Sequence, residues 1–428
     1  MLYFSLVGLA SLLAINLSLG RSLLFPPALF SAMWLLNLFV LWVIGDLFFR
    51  VSDTACLVYL LGAVSFAVGG LIILHTGRVH KRSIDASAMA PTDRKWVHSS
   101  LDLVLLILVA AFPIYLQIAR QVAGNVSLGI MLTVIRANEV DAEAGADPFG
   151  FAANLTVLAL LCAPAIIYES DGSWRWRLRS IIAVILVLAY GILTGSKQNA
   201  LIVFVLFFVS WIRSGRLRLR ILALSTAVVV TLFSVGIFFV NLASNAEAVG
   251  GAGGAVRRVA NTVLAYWLGG VVAFSRVAEE PDSIKVTQNI WRFFLELGRN
   301  LGFDVVVPTL HLPYTTISGD PSIKFLGINV YTIYFSYFPD FGWAGVIIGM
   351  MFVGAITTAV WKRATGGSAP FSLIYASLCL GIVLSFFADY FWLNLNFYIK
   401  ASLFYATLYV LIPKMARTTK AIYSWNAT

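Results

Sequence analysis

Long uninterrupted apolar runs, rather than alternation of apolar and polar positions, dominate this chain. A helix needs about 20 mainly apolar residues to cross the hydrocarbon core of a bilayer. Reading at that length predicts eleven spans, at residues 2–19, 24–45, 54–75, 101–119, 149–168, 180–195, 198–212, 221–242, 342–361, 369–388 and 397–413. The sixth and seventh are short and are separated only by Gly195, Ser196 and Lys197, so they are either two spans joined by a tight turn or a partly re-entrant pair. Two polar connections are sizeable, 120–148 and 243–341. The longer one predicts helices near 255–276 and 287–301, with the glycines at 250, 251, 253 and 254 as a hinge. Within 291–297 apolar and charged residues recur at helical spacing, which suits a helix lying along a membrane surface. The chain therefore divides into 1–242 with about eight spans and the loop 120–148, a large loop 243–341 with interfacial helices, and 342–428 with about three spans and a tail. No internal repeat is evident, which argues against transporters built by duplication.

Composition removes the soluble alternatives. Of 428 residues, 60% are hydrophobic and 12% charged, where soluble chains carry about 25% charge, and the mean hydropathy is +0.88. The expected fold class is all-α and polytopic. The first 20 residues are apolar with no basic residue ahead of them, which predicts a retained first span rather than a secretory signal. Cys56, Cys162 and Cys379 sit in apolar runs and read as core residues, not as a disulfide framework or a thiolate metal site.

The net charge of +10 would suggest nucleic acid in a soluble protein; here it sorts by side. With the basic connection 75–100 placed in the cytoplasm, eleven spans put the N-terminus outside and the C-terminus inside. The cytoplasmic connections then hold 18 basic and 5 acidic residues, and the outer side holds 12 and 15. The excess is an orientation signal, not a nucleic-acid signal.

The outer connections carry the candidate chemistry. Arg136 lies in an amphipathic stretch before Glu139, Asp141, Glu143 and Asp147; it is either part of a solvated interfacial helix or a clamp for phosphate or carboxylate, which the planar guanidinium fork suits. Arg257 and Arg258 open the predicted helix 255–276, where the macrodipole favours anions; either they snorkel to lipid headgroups or they hold an external anion. Lys197 either caps the outer surface or supplies a point charge for phosphate.

Between 314 and 354 the sequence runs through Asp320, Asn329, Tyr331, Tyr337 and Asp340 into an apolar span. Aromatic rings mixed with amides and carboxylates suit sugars, whose apolar faces stack while their hydroxyls pair; an aromatic membrane belt with Asp340 capping the next helix is the other reading. His311 is the outer side's lone histidine and a candidate acid or base, with no second ligand at metal spacing. Asp389 and Lys400 flank the last outer turn and are expected to pair. No HExxH, phosphate-binding glycine loop or nucleophile elbow is present, and the short basic cytoplasmic loops leave no room for a nucleotide-using enzyme there.

Several of these residues together resemble a known family. Asn329, Val330, Tyr331 and Thr332, then Tyr337, Asp340, Phe341, Gly342 and Gly345 leading into a span, look like the signature region of bacterial Wzy-type oligosaccharide repeat-unit polymerases. Thr194, Gly195, Ser196 and Lys197 match that family's small-residue turn, with Lys197 where Arg is frequent. Arg258 followed by Gly269 fits its spacing of Arg, ten residues, Gly; around Arg136, Gly145 and Gly150 lie off that spacing.

The resemblance implies a GT-C-like glycosyltransferase architecture in the bacterial inner membrane with an active site facing the periplasm. It implies polymerisation of undecaprenyl-pyrophosphate-linked oligosaccharide repeat units into O-antigen or exopolysaccharide, with no cofactor and no metal. It further implies that membrane lipids surround the chain and that a chain-length regulator and a flippase share its pathway. Arg258, Arg136, Asp340 and His311 would be catalytic, and Arg257, Lys197, Asp320, Asn329, Tyr331 and Tyr337 would bind substrate. An O-antigen ligase is the neighbouring reading in the same chemistry, and a lipid-linked oligosaccharide flippase or transporter the reading from another class. The Asn329 to Gly342 segment favours the polymerase, and the charge near the outer ends of spans favours an enzyme over a transporter.

Overall fold

The structure is a computed structural model; it describes the chain except for residues 77–90, 125, 127–130, 132–133, 136–148, 195–201, 216–218, 228–230, 232–250, 280–289, 308–313, 320–327 and 426–428. Among the described residues it is almost entirely helical. The helices are α1 (Leu2–Gly20), α2 (Pro26–Val43), α3 (Asp53–Thr76), α4 (Pro91–Val122), α5 (Ala153–Glu169), α6 (Trp174–Leu193), α7 (Ile202–Ser214), α8 (Gly251–Glu279), α9 (Arg292–Asn300), α10 (Phe338–Thr365), α11 (Ala369–Val383), α12 (Leu395–Ala406) and α13 (Ile412–Trp425). The only β pairing among the described residues is a bridge between Thr315 and Ile328.

Eight helices in the described residues are long and apolar enough to cross a membrane: α1 to α6, α10, and the run Leu395–Thr419 that joins α12 to α13. This is consistent with a multi-pass membrane protein. α7 and α11 occupy two more of the expected positions as shorter apolar helices. The expected span 221–242 lies largely outside the described residues.

The chain folds into two compact units. One comprises Met1–Arg78, Asn245–Lys362 and Leu378–Asn396; the other comprises Val79–Ser244, Arg363–Ser377 and Phe397–Thr428.

The first unit contains α1, α2, α3 and α8 with most of α10. α1 inverts the pattern of a water-soluble helix: Ser5, Leu9 and Asn16 face inward while Val7 and Ile15 face out. Lipid as solvent removes the cost of exposing apolar side chains and drives polar ones toward partners inside the bundle. Ser5 donates to the Cys56 carbonyl at 2.9 Å, and the Asn16 amide donates to the Pro27 carbonyl and the Ser31 hydroxyl. Pro26 and Pro27 open α2, where the absent N–H would be unpaired in any residue. Trp34 anchors the centre, its ring 4.8 Å from Tyr59 and 4.9 Å from Tyr334.

The second unit is closed at one end by charge. α4 begins ten residues before the apolar run that predicts it, because its polar first turns find partners. Arg417 of α13 pairs with the buried Asp93, Arg94 and His98 converge on the buried Glu169 at 3.1 and 3.3 Å, and Arg179 meets Asp102 at 2.6 Å. Arg179 also lies over the Trp176 ring, 4.7 Å from its centre, and Arg213 donates to the Ile167 carbonyl. Inside, three tyrosines tie helices through backbone or side-chain oxygens: Tyr190 to Leu108, Tyr405 to Leu161, and Tyr115 to Thr156. Lys400 donates to Asn154 at 3.0 Å, in place of the pairing with Asp389 expected from the sequence.

Candidate functional site

The aromatic segment between Ile328 and α10 is buried from Tyr331 to Tyr337. Its start is fixed by the bridge to Thr315, whose hydroxyl shares a 2.7 Å hydrogen bond with Tyr331. Tyr331 is buried and stacks on Phe335 at 4.2 Å. A short 3-10 turn, Ile333–Ser336, then points Tyr334 into the bundle, where its hydroxyl donates to the Tyr59 carbonyl at 3.2 Å. Tyr59 in turn donates to the Val271 carbonyl of α8 at 2.7 Å. Three aromatic residues of different elements, Trp34, Tyr59 and Phe274, surround the Tyr334 ring.

Asp340 lies in the first turn of α10 and is half-buried; Asn329 is exposed. Gly342 interrupts the helix at φ 57°, a left-handed angle that costs glycine least. It separates the turn carrying Asp340 from the apolar run that follows.

The turn between α11 and α12 packs directly on this segment. Ile333 donates its amide to the Ser385 carbonyl at 2.8 Å, Trp34 reaches the Ser385 hydroxyl at 3.1 Å, and the Trp392 indole donates to the Tyr337 hydroxyl at 2.9 Å. At the centre of the turn stands Asp389, 3% exposed. Its Oδ1 accepts the amides of Phe391 and Trp392 at 3.0 and 3.2 Å, while its Oδ2 is buried and finds no hydrogen-bond partner among the described residues. Burial disfavours the charged form and pushes the Asp389 carboxyl up to about 6, against the opposing pull of the Ser336 hydroxyl and the two amides. Burial and the neighbouring Asp389 push the Tyr337 hydroxyl well above its ordinary range, so it stays protonated. The buried Tyr390 hydroxyl and Thr332 hydroxyl likewise have no partner among the described residues.

α8 reaches the same turn. Tyr266 stacks on Phe387 with ring centres 6.2 Å apart, and at Gly270 a side-chain carbon would lie 2.8 Å from the Phe386 carbonyl oxygen, so only glycine allows that approach. Arg276, near the end of α8, lies over Phe49 and donates to the Thr316 carbonyl, which ties the helix to the residue that follows the bridging Thr315.

No family model, curated protein or solved structure matches this chain. The site is therefore read from its residues.

Of the sequence candidates, Asn329, Tyr331, Tyr337 and Asp340 are brought into one segment, with Tyr331 and Tyr337 inside and Asn329 at the surface. Arg257 and Arg258 lie in the early turns of α8, eight or more residues before its contact with the turn at Tyr266; their side chains are outside the described set. Arg136, Lys197, His311 and Asp320 lie outside the described residues. Sequence reasoning set Asp389 aside as a structural residue because Lys400 stood at a plausible pairing distance along the chain. The signal that could have found it is an acidic residue inside the aromatic run 386–392, where a charge needs a reason.

Chemically, the arrangement offers a buried carboxylate with one oxygen held by amides and one without a partner among the described residues, set among phenol, indole and hydroxyl groups. Such a group can accept a proton from a neutral hydroxyl, and its surroundings suit the apolar face and hydroxyl edge of a sugar.

Proposed function

We propose that this chain is a polytopic membrane glycosyltransferase that polymerises polyprenyl-pyrophosphate-linked oligosaccharide repeat units. In this reading the helical bundle is GT-C-like with eleven spans, lies in the bacterial inner membrane with the N-terminus outside and the C-terminus in the cytoplasm, and works on the periplasmic face. Its substrates are undecaprenyl-pyrophosphate-linked glycans.

The observation that carries the reading is the meeting of three elements in one compact unit: the Asn329 to Gly342 segment, the turn holding Asp389, and α8, the helix that holds Arg257 and Arg258. The transfer asks for both kinds of group. The pyrophosphate leaves with negative charge, which guanidinium groups stabilise, and the attacking sugar hydroxyl must give up a proton, which a carboxylate can take. Arg136 and Lys197 complete the proposed pyrophosphate clamp, and His311, Asp320 and Asp340 remain proposed contacts to the glycan.

The test is deletion and complementation in a host that makes lipid-linked repeat units, with glycan length read on a gel. Loss of the polymerase should leave single-repeat glycans in place of ladders; loss of all surface glycan would identify a ligase or a flippase instead. Replacing Arg258→Ala should shorten the ladder at unchanged membrane level, and full-length ladders would remove Arg258 from the site.

A further inference from the structure

Three buried side-chain oxygens at this site have no protein partner among the described residues: Asp389 Oδ2, Tyr390 Oη and Thr332 Oγ1. They belong to two stretches of chain joined by the Ile333 to Ser385 hydrogen bond. A buried carboxylate oxygen and hydroxyls without partners are costly, and three of them gathered in one place are accounted for by a polar ligand that satisfies them. A hard cation is a poor candidate, because it takes about six to eight oxygen ligands and this turn offers a single carboxylate among aromatic rings. A sugar is a good one: its hydroxyls donate to the carboxylate and to phenolic oxygens, and its apolar face suits the half-buried ring of Trp392.

The backbone geometry around Asp389 supports a chemical role. Two amides hold Oδ1, so the carboxylate plane is set by the turn and Oδ2 is aimed without a side-chain rearrangement. Tyr337 accepts the indole N–H of Trp392, which leaves its own O–H free to donate. α8 meets the same turn at Tyr266, which stacks on Phe387.

We propose that the turn around Asp389 binds the acceptor sugar and that Asp389 Oδ2 receives the proton of its attacking hydroxyl, with Tyr390 holding a neighbouring ring hydroxyl. The assignment rests on the polymerase reading. In the step, the acceptor oxygen forms a bond to the anomeric carbon of the donor, the bond from that carbon to the pyrophosphate oxygen breaks, the electron pair leaves with the pyrophosphate, and the acceptor proton passes to Asp389. No oxidant or other co-reactant is needed. The groups that face Asp389 are the Ser336 hydroxyl, the Phe391 and Trp392 amides and the Tyr337 phenol, the last being the titratable one.

The experiment uses the full chain in lipid nanodiscs with a defined undecaprenyl-pyrophosphate-linked oligosaccharide, and measures initial polymerisation rates between about pH 5 and pH 8. Asp389→Asn keeps an oxygen for both turn hydrogen bonds and removes the base, so kcat should fall on the order of 100-fold or more with little change in KM. The wild-type rate should fall as pH drops through about 6, and the residual Asp389→Asn rate should not. Tyr390→Phe should raise KM for the acceptor at nearly unchanged kcat. A purely structural Asp389 predicts wild-type rate and an unaltered pH profile in Asp389→Asn; that result overturns the assignment and leaves the polymerase reading standing. If Asp389→Asn does not accumulate, the Tyr390→Phe KM and the wild-type pH profile decide. Absence of polymer from the wild-type protein overturns the polymerase reading and this assignment with it.

Discussion

Asp389 shows what burying a single carboxyl costs a fold. Its carboxyl titrates about 6 in the fold against an ordinary 3.8. A raised carboxyl value means that the fold disfavours the ionised form, so stability is greatest below the ordinary value and is lost as pH rises through about 6. A shift of that size corresponds to a penalty on the order of 3 kcal/mol above neutrality. Asp389→Asn removes the charge and keeps the turn's hydrogen bonds, so it should melt higher than wild type at pH 8, with the gap closing toward pH 4; thermal unfolding in matched detergent reads it. A lower melting temperature at pH 8 would contradict the burial cost. Tyr334 shows the other use of a buried polar group, since its hydroxyl is spent on a backbone carbonyl and its ring on packing.

At the scale of elements, charge decides where helices end. The apolar run of α4 starts near residue 101, yet the helix starts at Pro91 because Asp93, Arg94 and His98 have partners on α13 and α5. Asp93 is buried while Arg417 is mostly exposed, so removing Arg417 leaves a buried carboxylate short of its partner, at a cost that solvent screening holds below the about 3–5 kcal/mol of a fully buried pair. Arg417→Ala should therefore lower the melting temperature, and adding Asp93→Asn to it should recover much of the loss. Additive losses in the double variant would show that the pair contributes little. α1 teaches the reverse lesson: with Asn16 and Ser5 inside and Val7 outside, the helix reads correctly only when lipid is taken as its solvent.

For the whole molecule, the division into two units runs across the chain order, joining α1 to α3 with α8 and part of α10 in one and α4 to α7 with α13 in the other. With the basic connection 75–100 placed in the cytoplasm, the charges sort as +13 on that side and −3 on the other, and this asymmetry predicts the orientation. His311→Cys should react with a membrane-impermeant thiol reagent added to intact spheroplasts, and Lys95→Cys should react only after permeabilisation. The native cysteines Cys56, Cys162 and Cys379 are buried and give little background. Reaction of Lys95→Cys from outside would reverse the proposed topology and move the candidate site to the cytoplasm.

What the chain determined without its fold is the class of protein. Apolar runs of span length have only one economical state in lipid, a helix, so α1 to α6, α10 and the last span were legible from hydropathy alone. The aromatic segment with Tyr331, Tyr337 and Asp340 was legible as a dense patch of sugar-compatible groups. Its inside and outside were not, because Tyr331 and Tyr337 are buried and Asn329 exposed for reasons of packing that no local pattern encodes. Asp389 and Lys400 looked like an ion pair because opposite charges eleven residues apart can meet across a turn. Tertiary structure gave each a nearer partner: amides of its own turn for Asp389, the side chain of Asn154 for Lys400. Partner choice depends on which groups burial brings together, and burial is a property of the assembled bundle rather than of any one helix.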